Sequence, residues 1–326
     1  MAHLGSIPFF LQLRMISRLI FLMMSLAMAA CTGGGVSTSV KSAPTGTAKA
    51  AGHTLPLATR FQGMEKFHLL CRRATAENWA ALPLGERTTR VALALVGTPY
   101  VSWTLEIDDH IEAPSVNFLG LDCWTAYEIP LAFARMIEAQ PAPWKPEDLL
   151  QWIEKERYRD GHCDGTYLSR MHYLEEVFHN NARRGLVENI TARLPGAVPL
   201  QRRISDMSAG WPQYRYLLAN PKLVGAIAQM EARVSALPVF YIPKNRVAAI
   251  EPMLKSGDIL AICGNYASSY TTHVGLAVAQ ADGSARFLHA TSSRDKGRKV
   301  ILDGRISEYL NESNSHAGLI VCRPIR

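Results

Sequence analysis

Leu119-Gly-Leu-Asp-Cys-Trp-Thr-Ala-Tyr-Glu128 is the segment from which the rest of the chain is best read. A turn there runs directly into a helix, with Cys123 in or near its first turn and apolar residues recurring at helical spacing over 127–137. The position is chemically loaded. Backbone N–H groups and the positive end of the helix dipole favour thiolate over thiol. The same free N–H groups can hold an oxygen that becomes negative during attack on an amide. Pro130, seven residues on, lacks a donor and predicts a kink. Taken alone, Cys123 reads by default as a buried structural thiol, since free cysteine is among the most buried residue types, and it is the paired histidines of the second half that reverse this.

A nucleophilic thiol needs a base, and the second half of the chain supplies candidates. After Tyr241-Ile-Pro-Lys244 come short β-rich runs at 258–263, 273–280, 285–291 and 318–323, separated by turn residues. Upstream, 61–236 reads as mainly helical, periodic over 88–96, with a mixed helix-and-loop stretch at 141–236 long enough to wall a cleft. Helices followed by neighbouring strands predict an α+β domain with an antiparallel sheet. No linker interrupts 61–326.

Among ten histidines, His273 is the best placed, because it opens the alternating strand His273-Val-Gly-Leu-Ala-Val-Ala279 and can face a cleft. The next run, Phe287-Leu-His-Ala-Thr-Ser-Ser293, supplies His289 across a turn containing Asp282-Gly283. A three-residue turn with Gly283 left-handed puts both imidazoles on one face as diagonal neighbours, roughly 7 Å apart, whereas a two-residue turn does not. The three-residue turn is expected. His289 then bonds the second ring nitrogen of His273 and fixes its tautomer.

The remaining composition bounds partners. With 48% hydrophobic and 19% charged residues the chain is globular, and its charge of +7 is scattered rather than massed, which argues against nucleic acid. Neither a P-loop, nor a zinc-type C-x-x-C pair, nor a G-x-G-x-x-G after a strand occurs, so no cofactor is expected. Arg14 and Arg18 precede an apolar run from Leu19 to Ala30 that is short for a membrane span, and residues 1–30 read as a signal peptide, with Met15 as an alternative start. The run ends Ala27-Met-Ala-Ala-Cys31, which suits a lipoprotein signal with Cys31 lipidated. Cleavage after Ala29 is the alternative. Residues 31–60 then form the lipidated Cys and a Gly/Ser/Thr/Ala-rich tether, leaving 61–326 as the catalytic domain. With Thr32 after Cys31, the expectation is a periplasm-facing lipoprotein of the outer membrane. Export would let Cys71, Cys163, Cys263 and Cys322 pair in three ways, or leave them as small buried residues.

Gly97-Thr-Pro-Tyr100, Asp122-Cys-Trp-Thr125, Gly257-Asp-Ile259, Thr272-His-Val-Gly-Leu276 and Leu288-His-Ala290 occur in an order that resembles the NlpC-type papain-like peptidoglycan hydrolases. More narrowly, Arg157-Tyr-Arg-Asp-Gly161, Ser169-Arg-Met-His-Tyr173, Tyr241-Ile-Pro-Lys244 and Gly318-Leu-Ile-Val321 are similar to strings of the N-acetylmuramoyl-L-alanine amidase-like branch, over about residues 67–326. The resemblance implies a papain-like core and a Cys123, His273, His289 triad, with Tyr100 at the cleft orienting substrate or oxyanion. It also implies hydrolysis of the amide between N-acetylmuramic acid and L-alanine, especially in soluble anhydro-muropeptides. Trp124, in place of a smaller polar residue, is the main departure and bears on substrate fit.

Other polar residues admit two readings. Arg170, His172 and Tyr173 would make either a cationic wall for muropeptide carboxylates or a solvated helix face. Asp258 would sit near the site or serve only a turn. His162-Cys-Asp164 lacks distant partners, so no metal is expected there. Two rival functions follow from the same residues: an endopeptidase cutting between D-glutamate and diaminopimelate, and a non-catalytic lipoprotein that binds peptidoglycan.

Overall fold

A computed structural model of the chain describes residues 55–325; the expected signal peptide, Cys31 and most of the tether lie outside the described residues. Numbering the α-helices of six or more residues gives α1 (Met64–Ala76), α2 (Leu84–Ala94), α3 (Cys123–Ala139), α4 (Pro146–Arg157), α5 (Leu174–Arg183), α6 (Val224–Ser235) and α7 (Ile306–Asn311). Eight strands form one sheet: β1 (Val187–Asn189), β2 (Val198–Pro199), β3 (Phe240–Pro243), β4 (Ile259–Gly264), β5 (Thr271–Ala279), β6 (Ala285–Ala290), β7 (Val300–Arg305) and β8 (His316–Pro324).

Helix α3 begins where its sequence supplies a cap. Asp122 is extended, its carboxylate accepts from the Thr125 amide at 2.8 Å, and the Thr125 hydroxyl accepts from the Asp122 amide at 3.0 Å. This reciprocal capping box satisfies two otherwise orphaned donors. Every residue from Thr125 to Ile137 is buried, as a helix apolar on all sides must be. Pro130 does not end it: the helix continues through that residue to Ala139. Two ion pairs carry the buried charge of this layer, Arg157 to Glu128 and Arg135 to Glu156, both at 2.6 Å.

The sheet order is β2-β3-β8-β4-β5-β6-β7, with β1 added along β8, and its pairs are antiparallel. Strands β4 to β7 form a meander in which β4, β5 and β6 match the expected runs at 258–263, 273–280 and 285–291, and β7 is a strand the sequence reading did not include. The last strand departs from it by returning to lie between β3 and β4. Strand β4 is buried throughout because both faces are covered: Ile259, Ala261 and Cys263 join the core that contains α3, while Leu260 and Ile262 join a second core closed by Ile306 and Leu310 of α7. A one-faced antiparallel sheet would have alternated. The mixed α+β class and the antiparallel sheet thus agree with the sequence reading. Cys71, Cys123, Cys163, Cys263 and Cys322 are all free thiols; of the four expected either to pair or to be buried, Cys263 and Cys322 are buried while Cys71 and Cys163 are only half-buried.

Candidate active site

The β5–β6 hairpin sets the two histidines. Its register pairs Leu276 with Leu288 and Ala279 with Ala285, and the Gln280 amide donates to the Ser284 carbonyl at 2.8 Å. The turn is therefore the three residues Ala281, Asp282 and Gly283, with Gly283 at φ +81°. His273 and His289 become diagonal neighbours on one face, with His273 Nε2 2.7 Å from His289 Nδ1. Gly275 lies opposite His289 and leaves room for it: a Cβ there would stand 2.8 Å from the His289 Cβ and 2.5 Å from the Leu288 carbonyl. Packing of the two imidazole-bearing strands requires that glycine.

The relay does not stop at His289. Its Nε2 lies 3.2 Å from Asp303 Oδ2, and Lys296 Nζ bridges Asp303 (2.6 Å) and Glu312 (2.7 Å). Hydrogen bonds from His289, Lys296 and the Gly304 amide hold the Asp303 carboxyl well below the usual carboxylate range, so it is an acceptor only. Burial pushes both imidazoles below their ordinary value, His273 with further help from His289, His316 and Lys296. Both rings are neutral near pH 7, and one proton order satisfies every contact. His289 Nε2–H donates to Asp303, His273 Nε2–H donates to His289 Nδ1, and His273 Nδ1 keeps its lone pair free as a base. Tyr309 of α7 stacks on His273 with ring centroids 6.1 Å apart.

Cys123 is the first residue of α3, half-buried, and its sulfur is met by the backbone N–H of Val274, the residue after His273. Tyr309 and Tyr100 lie close enough to feel a thiolate there, which adds to burial in raising both phenols. Tyr100 is fixed by its amide, which donates to the Arg298 carbonyl at 2.8 Å, and by its bridge to Leu121. The amides of Cys123 and Trp124, at the helix start, have no intrahelical carbonyl partner and act to lower the thiol pKa. One sequence expectation fails here. Burial, and then the adjacent Asp122 carboxylate, push the Cys123 thiol up to about 12, outweighing the helix-start amides. The helix terminus alone does not make a thiolate at neutral pH, so the sulfur depends on a base.

Four other expected residues need correction. Arg170 is 5% exposed and its guanidinium is engaged by Glu112 at 3.1 Å and Glu106 at 3.8 Å, leaving no free cation for a carboxylate. Tyr173 is buried and donates to Glu231 at 2.6 Å, while His172 bonds the Tyr167 carbonyl at 2.9 Å. They form neither a cationic wall nor a solvated helix face, because α5 begins only at Leu174 and this segment packs inward. Asp258 is 1% exposed, grips Arg323 through both oxygens at 2.7 Å and caps the Lys255 amide at 2.8 Å. It lies four residues along β4 from Ile262, the partner of His273, which is roughly 13 Å from that imidazole-bearing position. At 162–164, His162 is exposed against Glu154, and among the described residues no His, Cys, Asp and Glu cluster suits a metal.

Asp303, Lys296 and Tyr309 were not anticipated. Asp303-Gly304 carries the chemistry of a turn, and its place on β7 hides that the carboxylate faces back onto His289.

Residues 90–319 match the family described as AmiA-like, N-acetylmuramoyl-L-alanine amidase-like. No curated protein matches the chain. Among solved structures, an N-acetylmuramoyl-L-alanine amidase from Bacteroides uniformis is 30% identical, with TM-score 0.66, covering 74% of this chain and 99% of that one. A candidate xylanase from Bacteroides fragilis is 34% identical, with TM-score 0.62 and coverage of 71% and 98%. A Legionella pneumophila protein shares the fold at 17% identity, with TM-score 0.58 and coverage of 81% and 95%.

Proposed function

The chain belongs to the N-acetylmuramoyl-L-alanine amidase-like family of peptidoglycan hydrolases, and on that premise we propose that it is a cysteine amidase with Cys123 as nucleophile and His273 as base. The carrying observation is the hydrogen-bonded row His273, His289, Asp303 beside the sulfur at the start of α3. Cys123 attacks the carbonyl of the lactyl–L-alanine amide while its proton passes to His273 Nδ1. The amides of Cys123 and Trp124, with the Tyr100 hydroxyl, receive the oxyanion. His273 returns the proton to the alanine amine as the C–N bond breaks. Water, deprotonated by His273, then releases the lactyl carboxylate and restores the thiol. His289 and Asp303 stabilise the imidazolium without taking its proton. The core is papain-like in this reading, and soluble anhydro-muropeptides are its substrates. Cys31 carries the lipid that holds it to the outer membrane; loss of palmitate labelling on Cys31→Ser is the expected check.

A glycosidase reading, prompted by the Bacteroides fragilis relative's description, would require two carboxylates flanking a sugar bond. Asp122 is committed to the helix cap and Thr104, and Asp303 to His289 and Lys296. Digestion of defined muropeptides with wild-type and Cys123→Ala protein, read by mass spectrometry, decides the matter. The amidase releases sugar and intact stem peptide, and the variant does not. Turnover unchanged in the variant removes Cys123 as nucleophile. Cleavage of sugar-free peptide at D-glutamyl-diaminopimelate indicates the endopeptidase, and an inert wild type indicates a binding protein.

A further inference from the structure

Among the described residues, only Asn78, Trp103, Asp160 and Arg298 hold a positive φ without being glycine. Two of the four flank Tyr100. The chain uses glycine where a left-handed turn is all that is needed, as at Gly297 beside Arg298, with φ +80°. Trp103 at φ 64° and Arg298 at φ 48° adopt the same region against their own side-chain sterics, and such strain persists only where the surroundings impose it.

Those surroundings are specific. The Trp103 carbonyl accepts from the Glu106 amide at 3.2 Å, and Thr104 binds Asp122 Oδ2 through its amide (3.3 Å) and hydroxyl (2.7 Å). Asp122 is the residue before Cys123, so the Trp103 loop is tied to the start of α3. The indole meets Tyr214 edge to face, with centroids 5.4 Å apart, and still leaves Trp103 44% exposed. Much of a large apolar ring is thus left in solvent, on a loop tied to the residue before the thiol. On the other edge of Tyr100, the Arg298 carbonyl accepts from the Tyr100 amide at 2.8 Å and the Arg298 amide donates to the Ser293 carbonyl at 2.9 Å. Arg298 is exposed and forms no ion pair among the described residues. Segment 99–101 is thus bracketed by Leu121, from the Trp103 side, and by Lys299, from the Arg298 side.

We propose that these two residues set specificity: the Trp103 indole stacks on the sugar ring of the substrate, and the Arg298 guanidinium pairs with a carboxylate of its peptide. The inference rests on the amidase reading, whose substrate is a sugar joined through an amide to an acidic peptide. An indole face suits the C–H face of a sugar, and a forked guanidinium suits a carboxylate. With the amide held at Cys123 and Tyr100, the two halves of the substrate extend to opposite edges.

The test uses two matched substrate pairs. N-acetylmuramoyl-L-Ala-D-Glu and its D-isoglutamine counterpart differ only in one carboxylate; lactyl-L-Ala-D-Glu lacks the sugar. Arg298→Gln should lower kcat/KM about ten- to hundredfold on the D-Glu substrate and leave the isoglutamine substrate nearly unchanged. Trp103→Ala should raise KM about tenfold on the muramoyl substrate and not on the lactyl one. Arg298→Gly and Trp103→Gly relieve the backbone, so they should lose the same discrimination at an equal or higher Tm, separating recognition from folding. Equal losses on both members of a pair, or no loss, overturn the proposal. If wild-type protein cleaves none of the substrates, the amidase reading fails by itself. Fluorescence titration of Cys123→Ala protein with the same compounds then decides recognition, with the same pattern required of Kd and absence of binding overturning it.

Discussion

Replacing Asp303 by asparagine inverts a proton order as well as removing a charge. In the wild type, Asp303 can only accept, which forces His289 Nε2–H toward it and leaves His273 Nδ1 unprotonated at the end of the row. An asparagine amide can donate to His289 Nε2 instead. His289 Nδ1–H would then donate to His273 Nε2, and the proton of His273 would sit on Nδ1, where the thiol needs an acceptor. The charge contribution follows from distance. His273 is one imidazole and two hydrogen bonds from the carboxylate, roughly 8 Å, which at an effective dielectric of about 20 gives ~2 kcal/mol of imidazolium stabilisation. Lys296, 2.6 Å from Asp303, offsets part of it, so charge loss alone should lower kcat/KM about tenfold. Tautomer inversion adds to that, and Asp303→Asn should lie about 10- to 100-fold below wild type and below Asp303→Ala. Initial rates on an N-acetylmuramoyl-L-alanine peptide, with thermal melts to verify folding, measure this. A folded Asp303→Asn protein within twofold of wild type refutes the relay; equal losses in the two variants refute the tautomer argument and leave only charge.

Lys296 lowers both imidazole pKa values, and His273 must be neutral to accept the thiol proton, so activity falls as pH drops through its pKa. The wild-type acidic limb therefore belongs below 6.5, and Lys296→Met should move it upward by about half a unit to one unit in a kcat/KM profile; a downward move contradicts the assignment. Asp122→Asn retains an acceptor for the helix cap but removes the charge that raises the Cys123 thiol, so alkylation of Cys123 by iodoacetamide at pH 8 should be faster than in wild type. Slower alkylation with an intact fold would show that the carboxylate is not opposing the thiolate. Gly275→Ala introduces a Cβ within 2.5 Å of the Leu288 carbonyl and 2.6 Å of the Phe287 ring, and should cost about 1–3 kcal/mol in denaturant unfolding while displacing His289 and lowering activity. Wild-type stability with full activity would mean that the strands separate at no cost.

Local rules carried the sequence reading far. A turn running into a 3.6-residue period predicted α3 and the position of Cys123 in or near its first turn, while two-residue alternation and a left-handed Gly283 put His273 and His289 on one face. Each depends on neighbours within a few residues, which is why one chain sufficed. Charge states and partners did not yield to that approach. Arg170 looked available for ligand until Glu106 and Glu112, more than fifty residues away, closed around it. Asp258 looked like a site residue until Arg323 of the last strand enclosed it. Asp303 drew no notice in the sequence, because only the pairing of β7 with β6 brings its carboxylate to His289. The helix start that should have made a thiolate is overruled by burial and by Asp122. Desolvation and pairing are set by whatever the fold brings near from distant sequence, so tertiary structure alone decided which polar groups are free to react and which are already bound.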